Sequence, residues 1–184
     1  MKRAYRDRAL NQLYADVESS DCESREFAML QLALLLRRRK GELAAGDWSE
    51  RESQHLSRQL RRIQLSKVEE TQAVACLTRV AARHADSRAT VLWVMGEASA
   101  EIGFPAVLAA IRAHGNQLAD EAAYQACRAL QAWLEAEDLE NSLAKTWLSD
   151  LDPLAMLARW SASTDFRLAK SATAVIGELR RRMD

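Results

Sequence analysis

The chain has 184 residues, 26 basic and 26 acidic side chains, a net charge of zero and 48% hydrophobic residues. That length suits one domain with a sizeable core, and the charge balance argues against bulk nucleic-acid binding, which leaves a basic footprint. Two Pro and six Gly are too few for the many turns of an all-β protein, while the abundant Ala, Leu, Arg, Glu and Gln favour helix; the expectation is a single all-α domain over residues 1–184.

Along the chain, Leu10, Leu13, Tyr14 and Val17 fall at helical spacing and predict a first helix over Arg3 to Val17. Ser19-Ser20-Asp21 breaks it and supplies an N-cap. A second helix runs from Cys22 to about Ala45, and its centre, Phe27 to Leu36, is apolar on nearly every face, so neighbours should cover it on both sides. Ser49-Glu50-Arg51-Glu52 reads as a capping box opening a polar helix with Leu56, Leu60 and Ile63 on one stripe. Ser66-Lys67-Val68-Glu69 is a second such box, for a helix to about His84; Ser87 is expected to cap the next, ending near Gly103. Pro105 suits the first position of a further helix, which Gly115-Asn116 closes. Helices over Leu118 to Glu137 and Leu139 to Leu148 follow. Asp152-Pro153 starts another, to Ser161, and Asp165 caps the last, which ends in Arg180-Arg181-Arg182. The total is about ten helices with short polar turns.

The tetrapeptide Val94-Met95-Gly96-Glu97 returns as Val175-Ile176-Gly177-Glu178, and Ala123 to Ala132 carries the same small and apolar pattern with Gln131 in place of the Gly. A helical Gly costs about 1 kcal/mol against Ala, so its recurrence asks for a close helix approach. Self-similar helical units near 40 residues long mark HEAT and armadillo arrays. The segments Ser87 to Gly96 and Asp165 to Gly177 resemble the second helix of a HEAT repeat, where an Arg near the helix start precedes small residues and a Leu-Gly-like pair. The last copy has Ala169 where Arg88 aligns, the middle copy lacks both Arg and Gly, and residues 1–66 match poorly, as divergent capping helices do. The resemblance spans about residues 70–184 and implies a right-handed α-solenoid of stacked antiparallel helix pairs. By analogy such proteins bind partners on an extended concave face. It implies a non-catalytic adaptor for a protein partner, with Arg88, Gln125 and Lys170 lining the groove. Arg88 also has a structural reading, as a bond to a neighbouring turn.

No motif argues for chemistry. His55, His84 and His114 have no His or Cys partner at helical ligand spacing, and His84 and His114 suit helix C-termini. Glu135, Glu137, Asp138 and Glu140 are acidic without the spacing of a calcium loop. No nucleophile elbow, phosphate loop or dinucleotide fingerprint is present, so no catalytic residue, metal or cofactor is expected. Cys22, Cys76 and Cys127 form no CxxC pair and read as buried thiols of a reducing compartment. With no signal-like N-terminus and no apolar run of about 18 residues, the expected location is cytoplasmic, without a membrane partner.

The alternative partner is nucleic acid. Arg37, Arg38, Arg39 and Lys40 end one helix and Arg58, Arg61 and Arg62 share a face of the next, so antiparallel packing would join them into one patch. Complementing a helix C-terminal dipole is the leading explanation of such runs, and an acidic protein partner stands ahead of phosphate backbone as their ligand. Some HEAT-like proteins are DNA glycosylases that use aromatic residues in a basic groove. Here Trp93 and Trp133 read as core, while Trp48 and Trp160, near helix ends, are the candidate contact residues. Self-association through apolar faces is a third expectation.

Overall fold

The computed structural model describes residues 3–40, 56–57, 59–135 and 153–183. Among them lie eight α-helices: α1 (Arg3–Val17), α2 (Cys22–Lys40), α3 (Lys67–Arg83), α4 (Arg88–Gly96), α5 (Ala100–His114), α6 (Asp120–Glu135), α7 (Pro153–Ser161) and α8 (Phe166–Met183). Short 3-10 turns sit at Leu60–Arg62, Ala85–Ser87 and Gly115–Gln117, and no strand occurs among the described residues. The capping box at Ser49 and the helix expected over Leu139 to Leu148 lie outside them.

Helices pack in a simple order. Successive helices pair as α1 with α2, α3 with α4, α5 with α6 and α7 with α8. The odd-numbered helices contact one another in sequence, and so do the even-numbered ones, most extensively α4 against α6 and α6 against α8. Two helical layers result, sharing one apolar core. The centre of α2, expected to be covered from Phe27 to Leu36, is buried from Ala28 to Leu36 except for half-buried Leu30, while Phe27 is exposed. Leu56, Leu60 and Ile63 are buried, and the described residues around them form a 3-10 turn.

Local capping chemistry fixes most boundaries. Ser66 forms the full capping box, its hydroxyl accepting the Glu69 N–H while the Glu69 carboxylate accepts the Ser66 N–H at 2.7 Å. Asp165 accepts the Arg167 and Leu168 N–H groups at the head of α8. Ser87 does not cap α4. It is buried, and its hydroxyl accepts Arg25 Nε–H at 2.8 Å instead, a long-range bond that local sequence does not announce.

The stretch from Ser87 to Gly103, expected as one helix, breaks at residues 97–99, and Pro105 lies inside α5 rather than at its start. The reason is tertiary. The buried Glu70 carboxylate of α3 accepts the Ser99 N–H at 2.6 Å, holding the chain at the head of α5. Helix α5 therefore begins upstream of its proline, whose missing N–H leaves the Glu101 carbonyl without the usual helical donor.

Gly96 has the packing reason anticipated for it: a Cβ there would stand 3.0 Å from Ala129 Cβ of α6. Gly177 does not, since a Cβ there meets nothing within 4 Å. α8 has no later described helix to receive. Among the described glycines the closest approach is at Gly103, where a Cβ would lie 2.7 Å from Trp133 Cη2, closer still to Cζ2, and 2.9 Å from the Met95 carbonyl oxygen.

Burial has a consequence at high pH. Burial, and secondarily Glu18, pushes the Cys76 thiol from 9.0 to about 12; burial alone does the same for Cys127. Tyr14 rises from 10.0 to about 12, mainly by burial and then through Glu69. All three folded values lie above the unfolded ones, so the stability they contribute is complete below about pH 9 and is lost as pH climbs toward 12. The melting temperature should hold steady from about pH 7 to 8.5 and fall above 9, and Cys127→Ala should lessen that alkaline slope by one proton's share. Equal slopes in both proteins, read by scanning calorimetry, would remove Cys127 from this account. Cys22, unlike these two, is exposed, because it stands at the solvent-facing first turn of α2.

Candidate interaction surface

Helix α6 presents Tyr124, Arg128, Gln131 and Glu135 along one stripe at three- and four-residue spacing, while Ala122, Ala123, Ala126, Ala129 and Trp133 face inward. Helix α8 sets Phe166, Lys170 and Ala174 opposite that stripe, and together they wall an open groove of about 430 Å³. On the other flank of α6, Trp93 and Gly96 of α4, the following Glu97 and Arg37 of α2 bound a second groove of about 380 Å³. Tyr124, Arg128 and Ala132 belong to both grooves. The surface therefore runs across the even-numbered layer, with α6 as its dividing ridge.

The polar groups on it are partly spoken for. Arg167 lies over the Tyr124 ring, 5.1 Å from its centroid, and pairs with Glu121 at 3.1 Å and Asp165 at 3.6 Å. Gln125 donates to Glu121 at 2.8 Å and Gln131 to Glu135 at 2.6 Å. Arg37 pairs with Glu97 at 2.9 Å. Arg128 donates only a long bond, 3.4 Å, to the Tyr124 hydroxyl, and Lys170 has no partner among the described residues.

Of the residues anticipated from sequence, Gln125 and Lys170 stand on this surface, one in each groove. Arg88 takes its structural reading: half-buried, it donates Nε–H to the Ala81 carbonyl at 3.0 Å, tying α4 to the end of α3. Trp160 is not the exposed residue expected at a helix end. It is 4% exposed, because the short helix α7 turns its apolar side, Leu157 and Trp160, onto α8. Trp48 lies outside the described residues. Trp133 is core, its indole N–H donated to the Ala98 carbonyl at 3.1 Å and its ring edge-on to Phe104. Trp93, expected in the core, is half-buried and shows one side to the second groove.

The basic runs do meet, since Arg38 reaches the Arg61 carbonyl at 2.5 Å. Much of their charge is balanced locally, by Glu97 on Arg37 and by Glu70, 3.7 Å from Arg39. Arg62 is exposed; Arg58 and the Lys40 side chain lie outside the described residues. At the end of α8, Arg181 pairs with Glu178 and Arg182 donates to the Leu134 carbonyl.

Sequence reasoning missed Tyr124, Arg128 and Phe166. The spacing of Tyr124, Arg128, Gln131 and Glu135 was the available signal, but only packing shows which polar stripe of a helix borders a groove. His84 and His114 do lie at helix C-termini, and burial, then the nearby Arg88 charge, lowers the His114 pKa. Among the described residues no group of three His, Cys, Asp or Glu side chains is placed to hold a metal ion, and no described helix is long and apolar enough to cross a membrane. No family model, curated protein or solved structure matches the chain.

Proposed function

We propose that the chain is a HEAT-like right-handed α-solenoid acting as a non-catalytic adaptor, and that it binds a protein partner across α4, α6 and α8. The order of helix contacts supports the array: each helix packs on its pair-mate and on the next helix of its own layer. A repeated turn supports it further. Ser19 Oγ accepts the Asp21 N–H and Asp21 then caps α2 through Ser24; Ser163 Oγ accepts the Asp165 N–H and Asp165 caps α8. Both bonds to the serine hydroxyls are 3.1 Å long. The first helix pair, poor in the repeat pattern by sequence, thus carries the same turn as the last.

The single observation that carries the binding reading is the pair of adjoining grooves meeting at Tyr124, Arg128 and Ala132. Ala132 is exposed and shared by both, so Ala132→Arg obstructs both while staying within about 0.5 kcal/mol of the parent in stability. A tagged pull-down from native lysate, with and without nuclease, should yield a stoichiometric protein that survives nuclease and is lost with Ala132→Arg. Retention of that protein by the variant removes this surface as its site.

The nucleic-acid reading keeps one observation in its favour, the convergence of Arg38 on Arg61. It predicts duplex DNA binding at about 50 mM salt that weakens steeply with added salt and is abolished by charge reversal at both residues. Undetectable binding under that condition ends it.

A further inference from the structure

We propose that the groove between α6 and α8 takes an extended acidic peptide segment that also carries a large apolar side chain. This rests on the partner-binding reading above and names the partner's chemistry. The apolar half of the argument is Phe166. It is 77% exposed at the first position of α8 and borders the groove with Tyr124. An aromatic ring left open beside a groove is the residue type that anchors binding hot spots, and covering it removes apolar area from water at about 25 cal/mol per Å².

The acidic half is the charge left over once local pairs are formed. Arg167 is satisfied by Glu121 and Asp165. Lys170 has no partner among the described residues, and Arg128 has only the 3.4 Å bond to Tyr124. Two cations without counter-charges, one from each helix, therefore flank two aromatic rings. Such exposed charges set specificity and association rate more than affinity.

A polyanion fits less well. A nucleic acid presents phosphate at every step, and along this groove it would meet the Glu135 carboxylate on α6. A peptide places its carboxylates only where Lys170 and Arg128 stand. It leaves the remaining positions to apolar or neutral groups.

The test is selection of a random displayed peptide library, about a dozen residues per peptide, against the full chain. Enrichment of Asp and Glu beside Phe, Leu or Trp is expected, with binding at least about tenfold weaker to Arg128→Glu/Lys170→Glu. Phe166→Ala should also weaken it and leaves the charges untouched, so it remains informative should the double variant lose helicity. Selected peptides without acidic enrichment, no selected peptides, or equal binding by both variants would overturn the proposal. So would capture of single-stranded oligonucleotide in preference to the peptides. If the proposal fails while Ala132→Arg still strips a stoichiometric partner from lysate, the adaptor reading stands without its acidic ligand. If that partner is also retained, both fall.

Discussion

Gly103→Ala should lower stability by about 2 kcal/mol, a fall in melting temperature of about 6 °C, whereas Gly177→Ala should raise it by about 0.5–1 kcal/mol. Both glycines sit inside helices, so intrinsic propensity alone favours Ala at each. What separates them is the space a methyl group would meet. At Gly103 it collides with Trp133 Cζ2, with Cη2 at 2.7 Å and with the Met95 carbonyl oxygen at 2.9 Å. The indole cannot swing aside cheaply. It is 1% exposed, its N–H is fixed on the Ala98 carbonyl, and Phe104 stands against its ring. The Met95 oxygen is backbone and moves only with α4. Overpacking of this kind outweighs the gain of about 1 kcal/mol in helix propensity. At Gly177 nothing lies within 4 Å, so the propensity gain is realised in full. Thermal melts of the two variants give opposite signs on this account. A Gly103→Ala protein as stable as its parent would show that Trp133 is not the wall described here.

The same two positions show where sequence stops being informative. The recurrent Gly-Glu pair marked Gly96 and Gly177 as candidates for close approach, and the structure grants that role to Gly96 alone. Gly103, the tightest of the described glycines, carried no repeat and read as a helix end. A close approach belongs to two segments at once, here Gly103 with Trp133, and one sequence window holds only one of them. Helix starts governed by local caps were legible: Ser66 with Glu69, Asp165 with its own first turn, and the bounds of α1. Starts governed from elsewhere were not. The break at residues 97–99 depends on Glu70, and the occupation of Ser87 depends on Arg25. The surface divides likewise. Gln125 and Lys170 stood out as polar positions among the small and apolar residues of their helices, but Phe166 looked like an ordinary first-turn apolar residue. Its exposure follows from where α8 lies against α6, which no periodicity encodes.

The largest single loss is expected at Arg25. Four residues after the Asp21 cap, this side chain is 1% exposed and uses its guanidinium in three directions. Nη1 donates to the Ser19 carbonyl at 2.9 Å and the Ser20 carbonyl at 3.3 Å, closing the turn between α1 and α2. Nε donates to the Ser87 hydroxyl and Nη2 to Asp86 at 2.9 Å, both in the turn between α3 and α4. One residue thus joins the turns of two successive helix pairs. Arg88, the first residue of α4, works instead within its own pair, where it ties α4 to the Ala81 carbonyl. Removing Arg25 leaves the Ser87 hydroxyl, 0% exposed, without its donor and opens a cavity of guanidinium shape. Asp86, whose side chain is 61% exposed, rehydrates, so the ion pair itself contributes little. The expected cost of Arg25→Ala is about 3 kcal/mol, or about 9 °C in melting temperature. Asp86→Asn should cost under about 1 kcal/mol. Arg25→Lys should recover only part of the loss, because an ammonium cannot span three directions as the planar fork does. Hydrogen exchange distinguishes this role from simple core packing: Arg25→Ala should speed exchange at the head of α2 and at the 3-10 turn before α4 together. If only the α1–α2 turn loosens, Arg25 serves its own pair and does not couple it to the next.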